Sequence, residues 1–98
     1  MKANFDFDIE TPHGLKIVDE RGEVVTMRAS VINLLLSPSP NNENLSGEEK
    51  MERYNLAVKI SQKGDIDLKS EDVVRIKQIA ARIAPIAVYG PLMKLLAD

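Results

Sequence analysis

The spacing of apolar residues changes once along this chain, near Met27, and that change limits the folds open to it. Residues 5–9, F-D-F-D-I, alternate apolar and acidic side chains, which is typical of a strand with one face in water. From Met27 onward apolar residues recur every three or four positions, the spacing of one side of a helix. We therefore predict an α+β fold, with strands and a hairpin in residues 1–26 and a helical part in residues 27–98.

The N-terminal part is predicted to form a small antiparallel sheet. Segments 15–18 and 23–26 flank the four-residue loop Asp19-Glu20-Arg21-Gly22, which has a glycine where a left-handed backbone is often needed. This pattern predicts a β-hairpin that pairs with the first strand.

Three to four helices are predicted after the hairpin. Thr26 can cap a short apolar helix, and the prolines and asparagines of 37–45 end it in a loop that we expect to be exposed and protease-sensitive. Ser46-Gly47-Glu48-Glu49 is a capping box, in which Ser46 accepts from the amide of Glu49 and the Glu49 carboxylate accepts from the amide of Ser46. The helix that it opens, about 47–61, is predicted to turn one apolar stripe to the core: Met51, Tyr54, Val58 and Ser61, widened by Ala57 and Ile60.

The main core helix is predicted to begin near Ser70, with Glu71 and Asp72 in its first turn, where the helix dipole favours acids. Residues from Val73 to Ala84 then recur at helical spacing. Pro85 either ends this helix or kinks it, and a last amphipathic stretch runs to Leu96. Ile66 to Leu68, between the two long helices, is a possible short extended segment.

Length and composition indicate one domain with an aliphatic core. A chain of 98 residues is too short for two cores, and only 4% of its residues are aromatic. It has no cysteine, which is common in reducing compartments, and no apolar run of membrane-spanning or signal-peptide length. We expect a cytoplasmic protein with no membrane association.

The sequence offers little for catalysis, metal binding or a cofactor. His13 is the only histidine and lies in the turn T-P-H-G, and no catalytic triad spacing or glycine-rich phosphate loop is present. Asp65, Asp67 and Glu71 lack the central glycine and terminal glutamate of a calcium loop. A net charge of −2 disfavours nucleic acid as a partner. We predict a non-enzymatic protein without cofactor or metal.

The C-terminal segment I-A-P-I-A-V-Y-G-P-L-M-K-L-L contains one charge in fourteen residues, which is more apolar than one face of a surface helix requires. One interpretation is a buried terminal helix that closes the core. The other is a docking surface for a protein partner or a second copy, formed by some of Ile86, Val88, Tyr89, Leu92, Met93 and Leu96. The predicted contact residues among them are Tyr89, Leu92, Met93 and Leu96. For a homodimer, Tyr89, Leu92 and Met93 are the predicted contact.

Two further surfaces are alternative candidates for a binding site. Arg75, Lys77 and Arg82 lie on the polar side of the main helix and could bind a small ligand or nucleic acid. The acidic strand face of Asp6, Asp8 and Glu10 could imitate a row of phosphates, or could be a solvated face whose like charges prevent edge pairing.

Three segments in order resemble a loosely defined group of small accessory proteins of tailed bacteriophages and prophages. They are D-E-R-G-E-V-V-T leading into V-I-N-L-L-L-S-P, then L-S-G-E-E-K-M-E-R-Y-N-L-A-V-K-I, then D-L-K-S-E-D-V-V-R-I-K-Q-I-A-A-R-I-A-P-I-A-V-Y-G, and they cover most of residues 19–90. The resemblance implies action in the cytoplasm of an infected or lysogenic bacterium, through binding of a phage or host protein in particle assembly or in inhibition of a host system. It assigns no functional residue.

Overall fold

A computed structural model describes residues 1–37 and 45–97 and confirms the α+β fold class. In this part of the chain the elements are β1 (Lys2–Asn4), α1 (Met27–Leu36), α2 (Gly47–Ile60), β2 (Asp65–Asp67), α3 (Ser70–Ile83) and α4 (Ile86–Leu95). The loop predicted at 37–45 lies almost wholly outside the described residues, as does Asp98.

The two-stranded sheet pairs β1 with β2, and β1 precedes residues 5–9, where the sequence predicts the first strand. The strands are antiparallel, with Ala3 opposite Ile66, and both of these central side chains are buried. The amide of Leu68 and the carbonyl of Met1 extend the pairing with a 2.7 Å hydrogen bond. The predicted extended segment near Ile66 is therefore present, and its partner is the N-terminus because the helices between them return the chain to that edge.

Residues 5–26 form a closed ring of three short segments instead of a regular sheet. The amide of Ile9 donates to the carbonyl of Val25 at 2.9 Å, the amide of Val25 to Ile17 at 2.9 Å, and the amide of Ile17 to Ile9 at 3.0 Å. The predicted hairpin is confirmed between Val18 and Val24, which form an antiparallel bridge. Each segment pairs with both others, so these residues form a ring where the sequence predicts a small antiparallel sheet.

Local capping determines where the helices begin. The Ser46 hydroxyl accepts from the amide of Glu49 at 3.0 Å, as predicted for the start of α2. The predicted second hydrogen bond of the capping box, from the Ser46 amide to the Glu49 carboxylate, is wrong, because this carboxylate accepts from two arginines instead. At α3 the carboxylate of Asp72 accepts from the backbone N–H of Lys69 at 3.0 Å. Pro85 is the residue before α4, so it separates two helices.

The core is aliphatic except for Phe5, and α1 is central to it. This helix packs against α2, α3 and α4. From α2 the core receives Leu56, Ala57 and Ile60. Among residues 1–37 and 45–97, seventeen buried apolar residues form one cluster: Ala3, Phe5, Ile9, Met27, Val31, Leu34, Leu35, Leu56, Ala57, Ile60, Ile66, Leu68, Ile76, Ile79, Ala80, Leu92 and Leu96.

Candidate functional site

An open cleft of about 840 Å³ lies between α2 and α3. Val74, Ile79 and Ala81 contribute the apolar part of its lining, and the other lining residues include charges of both signs. The polar and charged lining residues are Glu49, Arg53, Glu71, Arg75, Gln78 and Arg82.

The charges at the cleft are arranged around the carboxylate of Glu49. Arg75 binds it with two hydrogen bonds, Nε to Oε2 and Nη2 to Oε1, each 3.1 Å long. Arg53 donates its Nε to the same Oε2 at 3.3 Å. The hydrogen bonds from Arg75, helped by those of Arg53, outweigh the effect of burial and lower the pKa of Glu49. The pKa of Arg75 is raised by the same pairing. This cluster holds α2 against α3.

The alternative ligand site predicted on α3 is only partly assembled. Arg75 and Arg82 line the cleft, whereas Lys77 is exposed and is not among its lining residues. Arg75 is already engaged by Glu49, and Glu71 adds a second acid to the lining. The arrangement therefore joins two helices, and the three cations that the sequence predicts for an anionic ligand do not all line the cleft.

A second ion pair joins α2 to the beginning of α3. The ammonium of Lys59 lies 3.1 Å from a carboxylate oxygen of Asp72, the residue that also caps α3. Burial alone would raise the pKa of Asp72. The hydrogen bonds from the Lys69 backbone and the Lys59 side chain outweigh it, so the pKa is lowered.

The acidic row predicted on the first strand is largely neutralised within the molecule. Asp6 forms an ion pair with Arg28 and accepts from the amide of Gly64 at 2.8 Å. Asp8 lies 2.7 Å from the ammonium of Lys16, and Glu10 lies 4.0 Å from it. The hydrogen bond with Asp8 is the main reason that the pKa of Lys16 is raised. These contacts favour a structural role over imitation of phosphates.

The predicted C-terminal contact needs a correction. Leu92 in α4 is fully buried, and Leu96, the residue after α4, is nearly so, because both side chains pack into the core of the single chain. Tyr89 remains 37% exposed and Met93 is half-buried. Ile86, another residue that the docking hypothesis names, is 92% exposed. Only two of the four predicted residues can therefore meet a partner without unfolding.

The apolar stripe that the sequence assigns to the core is divided in the structure, because Ala57 and Ile60, which widen it, are buried as predicted, whereas its other members lie on the outside of α2. Met51, Tyr54 and Val58 are 56%, 55% and 47% exposed. They follow the spacing i, i+3, i+7 and so share one side of the helix. The core contact comes from the other side, through Leu56 and Ile60. We name the outward set, Met51, Tyr54 and Val58, the α2 stripe.

One signal of this surface was available in the sequence. Residues 51–60 hold apolar side chains at the positions of two opposite sides of a helix, so α2 has more apolar residues than a single buried face uses. Periodicity alone does not decide which of two such sides is buried.

Comparisons of the chain with protein families, with curated proteins and with solved structures found no match. Within residues 1–37 and 45–97, no group of three acidic or histidine side chains is placed to hold a metal ion. No helix in that part of the chain is long and apolar enough to cross a membrane.

Proposed function

We propose that this chain is a non-enzymatic accessory protein that acts by binding another protein through the α2 stripe. The observation that carries the proposal is the exposure of Met51, Tyr54 and Val58 together on one side of a fourteen-residue helix. Contiguous exposed apolar surface on a soluble domain usually marks an interaction site. Tyrosine and methionine are enriched at such sites because both offer large contact areas.

The chemistry of the stripe favours a partner with an apolar groove. A helix with anchors at i, i+3 and i+7 is the form in which helices insert into grooves of other proteins. The anchors are bordered by exposed charged residues, Glu48 and Glu52 toward one side and Lys50 toward the other. A complementary groove is therefore apolar at its centre and basic along the rim that meets the two glutamates.

The flanking acids also favour protein over nucleic acid. A phosphate backbone would be repelled by Glu48 and Glu52, and the chain as a whole carries a net charge of −2. The resemblance to phage accessory proteins is the reason to seek the partner among phage and host proteins.

The experiment compares three tagged proteins: the wild type, Tyr54→Asp and the matched control Asn33→Asp. The control adds the same charge at an exposed residue of a different helix, α1. Each protein is purified from infected bacteria, the proteins that accompany it are identified by mass spectrometry, and binding is then titrated with the purified candidate. All three should have similar thermal unfolding midpoints, because both positions are exposed.

We expect one protein to accompany the wild type and Asn33→Asp but not Tyr54→Asp. In the titration Tyr54→Asp should bind at least about tenfold more weakly, the loss typical of a central aromatic anchor. Equal affinity of Tyr54→Asp and wild type for every accompanying protein would contradict the proposal. A Tyr54→Asp protein whose oligomeric state differs from that of the wild type would also contradict the proposal, since the stripe would then bind a second copy of the chain.

A further inference from the structure

The cleft between α2 and α3 has more positive than negative charge in its lining. Among the described residues it is lined by three arginines, Arg53, Arg75 and Arg82, and by two glutamates, Glu49 and Glu71. The lining therefore has a net charge of +1. A ligand with a single negative charge would balance it, whereas a second negative charge on the ligand would be repelled by the two glutamates.

Arg53 offers unused hydrogen-bond donors to this cleft. Its Nε donates to Glu49 at 3.3 Å, and it makes no other hydrogen bond with the described residues. Its two Nη groups reach solvent, because the described part of the chain contains no buried side-chain nitrogen without a partner. Arg75 differs, since its Nε and Nη2 both donate to Glu49 and its Nη1 lies 3.9 Å from Glu52.

The fold holds the unused edge of Arg53 in place. Only 16% of this side chain is exposed, and the hydrogen bond from Nε to Glu49 restrains the plane of the guanidinium group. The two Nη groups of an arginine match the two oxygens of a carboxylate in a bidentate pair. Because the donors are already ordered, little conformational entropy is lost when an anion binds to them.

Apolar surface lies in the same cleft as this cation. Val74 is 51% exposed, Ala81 is also exposed, and both line the cleft. A volume of about 840 Å³ is within the range of small-molecule sites, which combine apolar lining with a few polar groups that orient the ligand. The lining therefore favours a ligand that has a hydrocarbon part beside its single negative charge.

We propose that the cleft binds a small aliphatic monocarboxylate. Its carboxylate pairs with the Nη groups of Arg53, and its hydrocarbon chain covers Val74 and Ala81. Gln78, which also lines the cleft, offers a further amide donor. The site is separate from the α2 stripe, because Met51, Tyr54 and Val58 are not among the lining residues of the cleft.

A titration with hexanoate, followed by nuclear magnetic resonance of the ¹⁵N-labelled protein, tests the proposal. We expect saturable shifts at Arg53, Val74 and Gln78, with a dissociation constant in the millimolar range that is usual for so small a ligand. Hexanamide has the same carbon chain without the charge, and inorganic phosphate has charge without a carbon chain. Each should bind at least about tenfold more weakly than hexanoate, because each lacks one of the two contacts.

Two variants test the two parts of the site. Arg53→Gln should bind hexanoate at least about tenfold more weakly, because the charged hydrogen bonds are lost. Its matched control, Arg21→Gln, removes the same charge from an exposed residue of the hairpin loop and should bind like the wild type. Val74→Asn changes an exposed residue, so the fold should be retained, and hexanoate should bind at least about threefold more weakly.

Several results would overturn the proposal. They are wild-type affinity for hexanoate in Arg53→Gln or in Val74→Asn, equal affinity of the wild type for hexanoate and hexanamide, and the absence of saturable shifts at the cleft. Equal affinity for phosphate and hexanoate would overturn the assignment of an aliphatic ligand. Tyr54→Asp should bind hexanoate like the wild type, so failure of this proposal and failure of the α2 stripe are separate results.

Discussion

Removal of the Glu49 charge should uncouple α2 from α3, and Glu49→Gln is the substitution that tests it. The carboxylate accepts two hydrogen bonds from Arg75 and one from Arg53, with 30% of the Glu49 side chain and 23% of the Arg75 side chain exposed. Fully exposed ion pairs contribute about 0.2–1 kcal/mol, and hydrogen bonds to charged groups in less exposed settings about 1.5–3 kcal/mol. For this half-buried, two-pronged pair we expect a loss of about 1–2 kcal/mol in the free energy of unfolding.

The matched control is Glu48→Gln. Glu48 lies in the same first turn of α2, so both substitutions remove the same favourable interaction with the helix dipole, about 0.3–1 kcal/mol. Glu48 is exposed, and no ion pair between it and the described residues is present. The difference between the two variants in urea unfolding at neutral pH therefore measures the arginine contacts. A difference below about 0.5 kcal/mol, which is the usual error of additivity, would refute the reasoning.

The same pair predicts a pH dependence with a definite sign. The pKa of Glu49 is lower in the folded state than its ordinary value, so the unfolded chain takes up the proton first as acid is added. The stabilisation is complete above the unfolded pKa of about 4.3 and is lost as the pH falls through the folded value. The difference between wild type and Glu49→Gln should therefore shrink on acidification, and a difference that is constant down to about pH 2 would contradict this account.

Three further substitutions test the capping, core and turn assignments, each by denaturant unfolding. Ser46→Ala should destabilise the protein by about 1 kcal/mol, because the amide of Glu49 loses its acceptor. Ser46→Asp should retain most of the stability, and equal losses of stability in the two variants would show that the cap is unimportant. Leu92→Ala should lower the free energy of unfolding by about 2–5 kcal/mol, as for other buried leucines, and the exposed Ile86→Ala should lower it far less. Similar losses in the two variants would contradict the assignment of Leu92 to the buried side of α4 and of Ile86 to the exposed side. Gly22→Ala should cost about 1–2 kcal/mol because Gly22 has a φ of 80°, and Gly22→Asn should cost less; an unchanged Gly22→Ala would argue against the left-handed turn.

Sequence alone determined the features whose causes are local. The Ser46 hydroxyl reaches an amide three residues away, and Gly22 permits a left-handed turn, so the start of α2 and the hairpin are readable from a few neighbouring residues. Pro85 separates α3 from α4 for an equally local reason, since a proline disfavours helical backbone in the residue before it. The α+β class and the aliphatic core follow from periodicity and composition in the same way.

Only the tertiary structure decided which surfaces are free. The N-terminus pairs with Ile66 because the intervening helices place that edge beside it, and no pattern in residues 2–4 encodes a partner so distant. The Glu49 carboxylate accepts hydrogen bonds from Arg75 and not from the Ser46 amide, because α3 places the Arg75 guanidinium within reach. Hydrogen bonds between two charged groups are stronger than those with a neutral donor. α2 is apolar on two sides, so the position of α1 determines that Ile60 is buried while Tyr54 faces outward.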